Sequence, residues 1–361
     1  MAVLNLRQLP AVAVICVFIA HPVSAQTTVS AQNTMPEIVS GSMSLSVGVA
    51  APNPDIPLDD SFPDGISPSH VFSKIDRLDR SLDQILKALD VPLPTFPAEI
   101  EKGLQPMHVY QAVLSCAGRL QELDDQLKVF AIPTISVRPT TYAPRDVLFV
   151  VTTMLENVGR IATHLKVQTL PEDELIVTDK TPTDVFSVAV RMLVKLNTVC
   201  GHEELRPAEV YSQMVRGVED VRSILRQNDP ACRYRIDKPD SLADRTPGDV
   251  FEKCLEIRRL INRHRVQLAM PPIPVPEFTT GVKIRPRDVF FQTQVIIAEL
   301  NLLKMQLSTV STTPLPVPVS DDTTPTDVHG QATMLEYLLG QVGDIDRQRQ
   351  SEAPVQTEGV N

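Results

Sequence analysis

Thr181-Pro182-Thr183-Asp184-Val185-Phe186 reads as the opening of a helix, and the chain writes that opening, with variations, eight times. The anchoring prolines are Pro68, Pro106, Pro144, Pro182, Pro207, Pro247, Pro286 and Pro325. Valine follows each three residues later (Val71, Val109, Val147, Val185, Val210, Val250, Val289, Val328), usually with an aromatic next. Leu148 and His329 are the exceptions. Thr181, Thr246, Thr324 and Ser67 stand where an N-cap oxygen accepts a backbone N–H. Proline then takes the first helical position, where its missing N–H costs nothing and its fixed φ already suits the helix. An acid two residues on (Asp146, Asp184, Glu209, Asp249, Asp288, Asp327) meets the positive end of the helix dipole and completes a capping box in the Thr copies. His70 and His108 replace that acid in the first two copies and are expected to touch backbone or solvent. These acids therefore read as caps before they read as chemistry.

Counted from each proline, apolar residues fall at offsets 3, 7, 10, 14, 17 and 21. The first copy gives Val71, Ile75, Leu78, Leu82, Ile85 and Leu89; the third gives Val147, Val151, Met154, Val158, Ile161 and Leu165. Alternating steps of four and three make the 3.5-residue seam of coiled-coil packing. Each helix should run ~22 residues and ~33 Å. Extra apolar residues beside the seam, such as Phe290, Phe291, Leu302 and Met305, widen the stripe toward a bundle.

The proline spacings are 38, 38, 38, 25, 40, 39 and 39. The single short step divides eight units into four plus four. The expected fold is all-α: an eight-unit helical repeat, read most simply as two fused four-helix bundles with long proline-rich connections, while fused solenoid-like packing would look the same in sequence. Most spacers hold roughly 15 residues, and an extended proline-rich segment of that length covers ~45 Å. That is enough to run back along a helix and start the next at the same end, so the spacers permit successive helices within each half to be parallel, and the sequence leaves parallel and antiparallel order open. Antiparallel neighbours would need only about 2–8 residues. The short step, with Gly201 as a C-terminal cap, predicts an antiparallel hairpin.

Residues 1–25 read as an export signal: Arg7 in a short n-region, an apolar run from Ala11 to Ala20, and Val23-Ser24-Ala25 before the cut at Gln26. Residues 26–66 form a Ser/Thr/Pro-rich tether. Units 67–201 and 202–343 follow, and 344–361 is expected as a disordered tail. The expected location is outside the cytoplasm, periplasmic or secreted, with no transmembrane segment in the mature chain. At 43% apolar residues the chain has material for more than one core. A net charge of -10 argues against general nucleic-acid binding, and 4% aromatics without Trp disfavour stacking platforms.

Candidate chemistry is sparse. The histidines follow no metal-ligand spacing, no Cys-x-x-Cys occurs, and no nucleophile elbow or phosphate-cradling Gly loop is present. No catalytic residue, metal site or cofactor is predicted. Cys116, Cys200, Cys232 and Cys254 allow three full disulfide pairings. Cys116 and Cys254 sit on the seam, where they equally suit small buried apolar residues. His264 takes seam offset 17, and a polar group there must find a partner or stand partly exposed at a widened helix end. Thr293 is a second polar seam position. Lys253, Arg258, Arg259, Arg263 and Arg265 make the sixth helix basic, which fits either an acidic partner or a solvated face. Two functions follow as expectations. One is an exported, non-catalytic protein-interaction or scaffold module of the cell envelope, with an unknown protein partner contacting Arg258, Arg259 and Arg263. The other is a ligand-binding or sensory bundle holding a small molecule near His264 or Thr293.

Overall fold

A computed structural model describes residues 65–96, 101–129, 142–168, 177–202, 205–228, 244–277, 283–309, 319–320 and 322–352. The stretch expected as an export signal, nearly all of the expected tether and Cys232 lie outside the described residues. Among the described residues there are eight helices and no strand: α1 (Pro68–Ala88), α2 (Pro106–Leu127), α3 (Pro144–Leu165), α4 (Pro182–Val199), α5 (Pro207–Asn228), α6 (Pro247–Gln267), α7 (Pro286–Gln306) and α8 (Pro325–Glu352). Every helix begins on its anchoring proline. The tail expected from residue 344 instead starts as helix, because α8 continues to Glu352 and no proline interrupts it before Pro354.

The caps explain the starts. In all eight helices the third helical side chain accepts the N–H of the residue before proline. Asp146, Asp184, Glu209, Asp249, Asp288 and Asp327 do so at 2.7–2.8 Å. His70 and His108 do so through Nδ1, at 3.1 and 2.9 Å. Only the threonine copies return the bond, with Asp184, Asp249 and Asp327 N–H groups donating to the preceding Thr hydroxyl at 3.3 Å.

The ends are equally regular. Asp90, Lys128, Lys166, Gly201, Ala269 and Ser308 all adopt positive φ, and the next N–H reaches back to a carbonyl five residues earlier, as in Val91 to Leu86 at 2.9 Å. This is the Schellman closure. Only Gly201 adopts it without a Cβ penalty, so Gly201 caps α4 as its sequence implies.

Within the first four helices α1 packs on α3 and α4, and α2 on α3 and α4; α5 to α8 repeat the arrangement, α5 and α6 each packing on α7 and α8. The four helices of each set run parallel. Pro68, Pro106, Pro144 and Pro182 converge with their valines around one shallow pit of about 10 Å³. In the second set Tyr211 meets Gln331 near the start and Gln227 meets Ser308 near the end. The seam is the core: Val71, Ile75, Leu78, Leu82 and Ile85 are buried, as are Val289, Thr293, Ile296, Leu300 and Leu303. Fully burying a leucine contributes ~1.5–3 kcal/mol, so several such layers per set stabilise a fold with few aromatics. An equivalent bond recurs within each set: Leu104 N–H donates to Thr183 at 3.2 Å, and Arg245 N–H to Thr326 at 2.9 Å.

One helix pair joins the sets. α2 packs on α7, and it does so antiparallel: His108 near the start of α2 faces Glu299 late in α7, while Arg119 further along α2 pairs with Glu209 at the start of α5. The short α4–α5 step makes this reversal. His202 at the step approaches Glu122 to 2.7 Å. That contact, with help from Arg119 and against burial, holds the Glu122 carboxyl down to about 2.

Candidate functional site

The polar interior lies where α2, α6 and α7 meet. Arg258 and Arg265 of α6 are fully buried although charged. Arg258 forks onto the Glu101 carboxylate at 2.6 and 2.7 Å and also donates to Gln292 and to the Pro274 carbonyl. Asn262 donates to the Ile273 carbonyl at 2.7 Å and accepts the Ile273 N–H at 2.9 Å. Arg265 donates to the Pro271 carbonyl at 2.9 Å. These three donors climb α6 at steps of four and three, while their acceptors descend from residue 274 to 271. The connection after α6 therefore runs back along its own helix. A proline-rich strand has carbonyls without matching N–H groups, and this stripe supplies the donors. Gly103, at φ +77, lets the connection before α2 lie against that strand, since a Cβ there would meet Pro274 at 3.1 Å.

Beside this stripe Glu299 is buried with neither oxygen in a direct hydrogen bond. His108 Nε2 stands 3.6 Å away and Arg258 Nε 3.8 Å. The Gln105 N–H occupies His108 Nδ1, which leaves the ring proton on Nε2, facing the carboxylate. Burial lowers the Arg265 guanidinium from its ordinary range, and Glu299 works in the opposite direction. Gln111 and Ser115 of α2 both donate to Gln294 of α7, at 3.0 and 2.7 Å. The charges of the cluster balance, Arg258 and Arg265 against Glu101 and Glu299, and its hydrogen bonds hold two sets of helices and one returning segment together, with the Glu299 oxygens left outside them.

A second feature is open to solvent. A recess of about 330 Å³ between α6 and α8 is lined by Arg245, Asp249, Glu252, Lys253, Glu256, His329 and Thr333. Lys253 bridges it to Glu336 at 3.1 Å and also pairs with Glu256. Burial pushes the His329 imidazole below its ordinary value, with Arg245 and Lys253 adding to the effect.

The sequence candidates do not converge. His264 is buried, not partly exposed, and its Nε2 donates to the Leu339 carbonyl of α8 at 3.0 Å. Thr293 is buried and donates to the Phe290 carbonyl of its own helix at 2.6 Å. Arg258 faces inward, whereas Arg259 and Arg263 are exposed on the solvent side of α6. Cys116, Cys200 and Cys254 are free thiols. Burial raises all three, Cys200 and Cys254 to about 12, which leaves them protonated and unreactive. Among the described residues no group of three His, Cys, Asp or Glu side chains is placed to hold a metal ion, and no helix is long and apolar enough to cross a membrane.

The inward stripe of Arg258, Asn262 and Arg265 escaped the sequence reading because it sits one position beside the seam, within a run of basic residues. Its four-three spacing, followed by a proline run with bare carbonyls, was the available signal. Comparison with known proteins finds no matching family model, no matching curated protein and no matching solved structure.

Proposed function

We propose that the chain is an exported, non-catalytic helical scaffold that works by protein interaction in the cell envelope. The observation that supports it is the stripe of Arg258, Asn262 and Arg265, which binds the chain's own returning strand. The donors of this stripe are thus committed to holding the chain's own connection, and Arg259 and Arg263 carry the exposed positive charge of α6. A second reading, a small-molecule site, is favoured by the recess between α6 and α8 with its mixed charges.

The test joins export with capture. The chain is expressed in its native cell, its N-terminus is sequenced outside the cytoplasm, and a photo-reactive residue at Arg259 or Arg263 is cross-linked in intact envelopes. A product starting at Gln26 with one discrete protein adduct supports the scaffold. Retention of Met1 in the cytoplasm, or heat stabilisation by a small anion without any adduct, counts against it.

A further inference from the structure

The outward stripe of α6 carries its charges in blocks. Glu252, Glu256, Arg259 and Arg263 succeed one another at steps of four, three and four, which keeps them on one line of the helix. Glu252, Arg259 and Arg263 are exposed, and among the described residues none of the three has an ion-pair partner; Glu256 pairs with Lys253 while 41% of its side chain stays exposed. A solvated helix gains from opposite charges four residues apart. Here the four-residue neighbours are alike: acid with acid, then base with base. The helix dipole does not account for this, because its influence fades within the terminal turns. Glu256 and Arg259 stand near the middle of α6 (Pro247–Gln267).

The stripe does match itself reversed. An identical helix turned end for end sets Arg263 against Glu252 and Arg259 against Glu256, and two-fold symmetry supplies the same two pairs again. We propose that α6 docks antiparallel on α6 of a second copy of this chain, about a two-fold axis that lies between the two helices at the level of the Ile257–Arg258 peptide. The recess lies beside the two acids, and three of its lining residues, Asp249, Glu252 and Glu256, are carboxylates. The partner's Arg263 lays its aliphatic stem there and presents its guanidinium to Glu252. This self-docking rests on the interaction-module reading and names its partner.

Sedimentation equilibrium of the purified protein at micromolar concentrations tests it. The expected result is a reversible dimer that weakens as salt rises, since exposed charges are screened. Arg259→Glu with Arg263→Glu, and separately Glu252→Arg with Glu256→Arg, should each weaken the dimer on the order of 100-fold. An equal mixture of the two double variants should recover it, because an all-acid stripe then faces an all-base one. Recovery also shows that both variants fold. A monomer at every concentration in low salt overturns the proposal, as does a dimer that both double variants leave intact. A monomer whose stripe captures a different envelope protein overturns self-docking and leaves the interaction reading standing. A monomer that captures no protein and binds a small anion in the recess overturns both.

Discussion

The histidine cap makes the start of α1 sensitive to acid between neutral pH and about pH 5, a range in which the acids capping α4 and α6, held below the usual carboxylate range, keep their charge. His70 holds the Ser67 N–H on Nδ1 at 3.1 Å, which requires that nitrogen to be unprotonated. Its Nε2, which then carries the proton, is buried without a hydrogen-bond partner, so neither ring nitrogen welcomes a charge. Burial lowers the imidazole from its ordinary 6.5. A folded-state value below the unfolded one fixes the sign: the contribution is full above 6.5 and is lost as pH falls through the folded value. The cap itself bounds the size, at ~0.5–2 kcal/mol. His70→Asp installs the acceptor used elsewhere; the acids of α4 and α6 are held below the usual carboxylate range by the same cap bonds. Between about pH 7.5 and about pH 5, urea unfolding should show the natural chain losing ~1 kcal/mol more than the variant. In melting temperature that is roughly 2–4 °C. Other titrating groups are common to both chains and cancel in the difference. Parallel stability curves for the two chains across that range would refute the coupling of cap to proton.

Asp124 runs in the opposite sense. It is buried without a hydrogen-bond partner, and burial, helped by Asp125 and opposed by Arg160, pushes its carboxyl up to about 6. Stability should fall as pH rises from about 4 through about 6, and Asp124→Asn should flatten that step and add on the order of 1–3 kcal/mol at neutral pH. An unchanged step in urea titrations would exclude this carboxyl as its source. Lys304 and Asp220 form a fully buried pair at 2.5 Å. Lys304→Met alone should cost ~3–5 kcal/mol, because Asp220 is left as a buried charge without this partner; an unchanged melting transition in calorimetry would contradict that. Ala269 holds φ +56 at the end of α6, so Ala269→Gly should raise stability by ~0.5–1 kcal/mol, and a lower melting temperature would count against strain there.

The helix starts were legible because proline, cap and third-position acceptor act within four residues and need no tertiary partner. Helix direction was legible only in part, since connections of this length permit the chain to return but equally permit an antiparallel order. The choice of neighbours was not. α1 skips α2 to pack on α3 and α4, and long returns reach either side equally well. His264 shows a related gap: its partner is a backbone carbonyl at Leu339, and carbonyls leave no trace in composition. The five candidate residues scattered for a plain reason. Arg258 and Arg259 are adjacent in sequence but a helix turns about 100° between them, so one is a buried clamp and the other is exposed.

Parallel alignment within each set has an electrostatic consequence. Four helix dipoles pointing the same way place roughly +2 charges at the leading end and −2 at the trailing end. In the second set the caps Glu209, Asp249, Asp288 and Asp327 more than neutralise that leading end, whereas the first set offers only Asp146 and Asp184. Those acids leave the leading end of the first set near neutral and that of the second set negative. Cut apart at the α4–α5 step, each half would expose the polar face that α2 and α7 now bury between them, with His108, Gln111, Gln294 and Glu299. In the whole chain each half covers the other's.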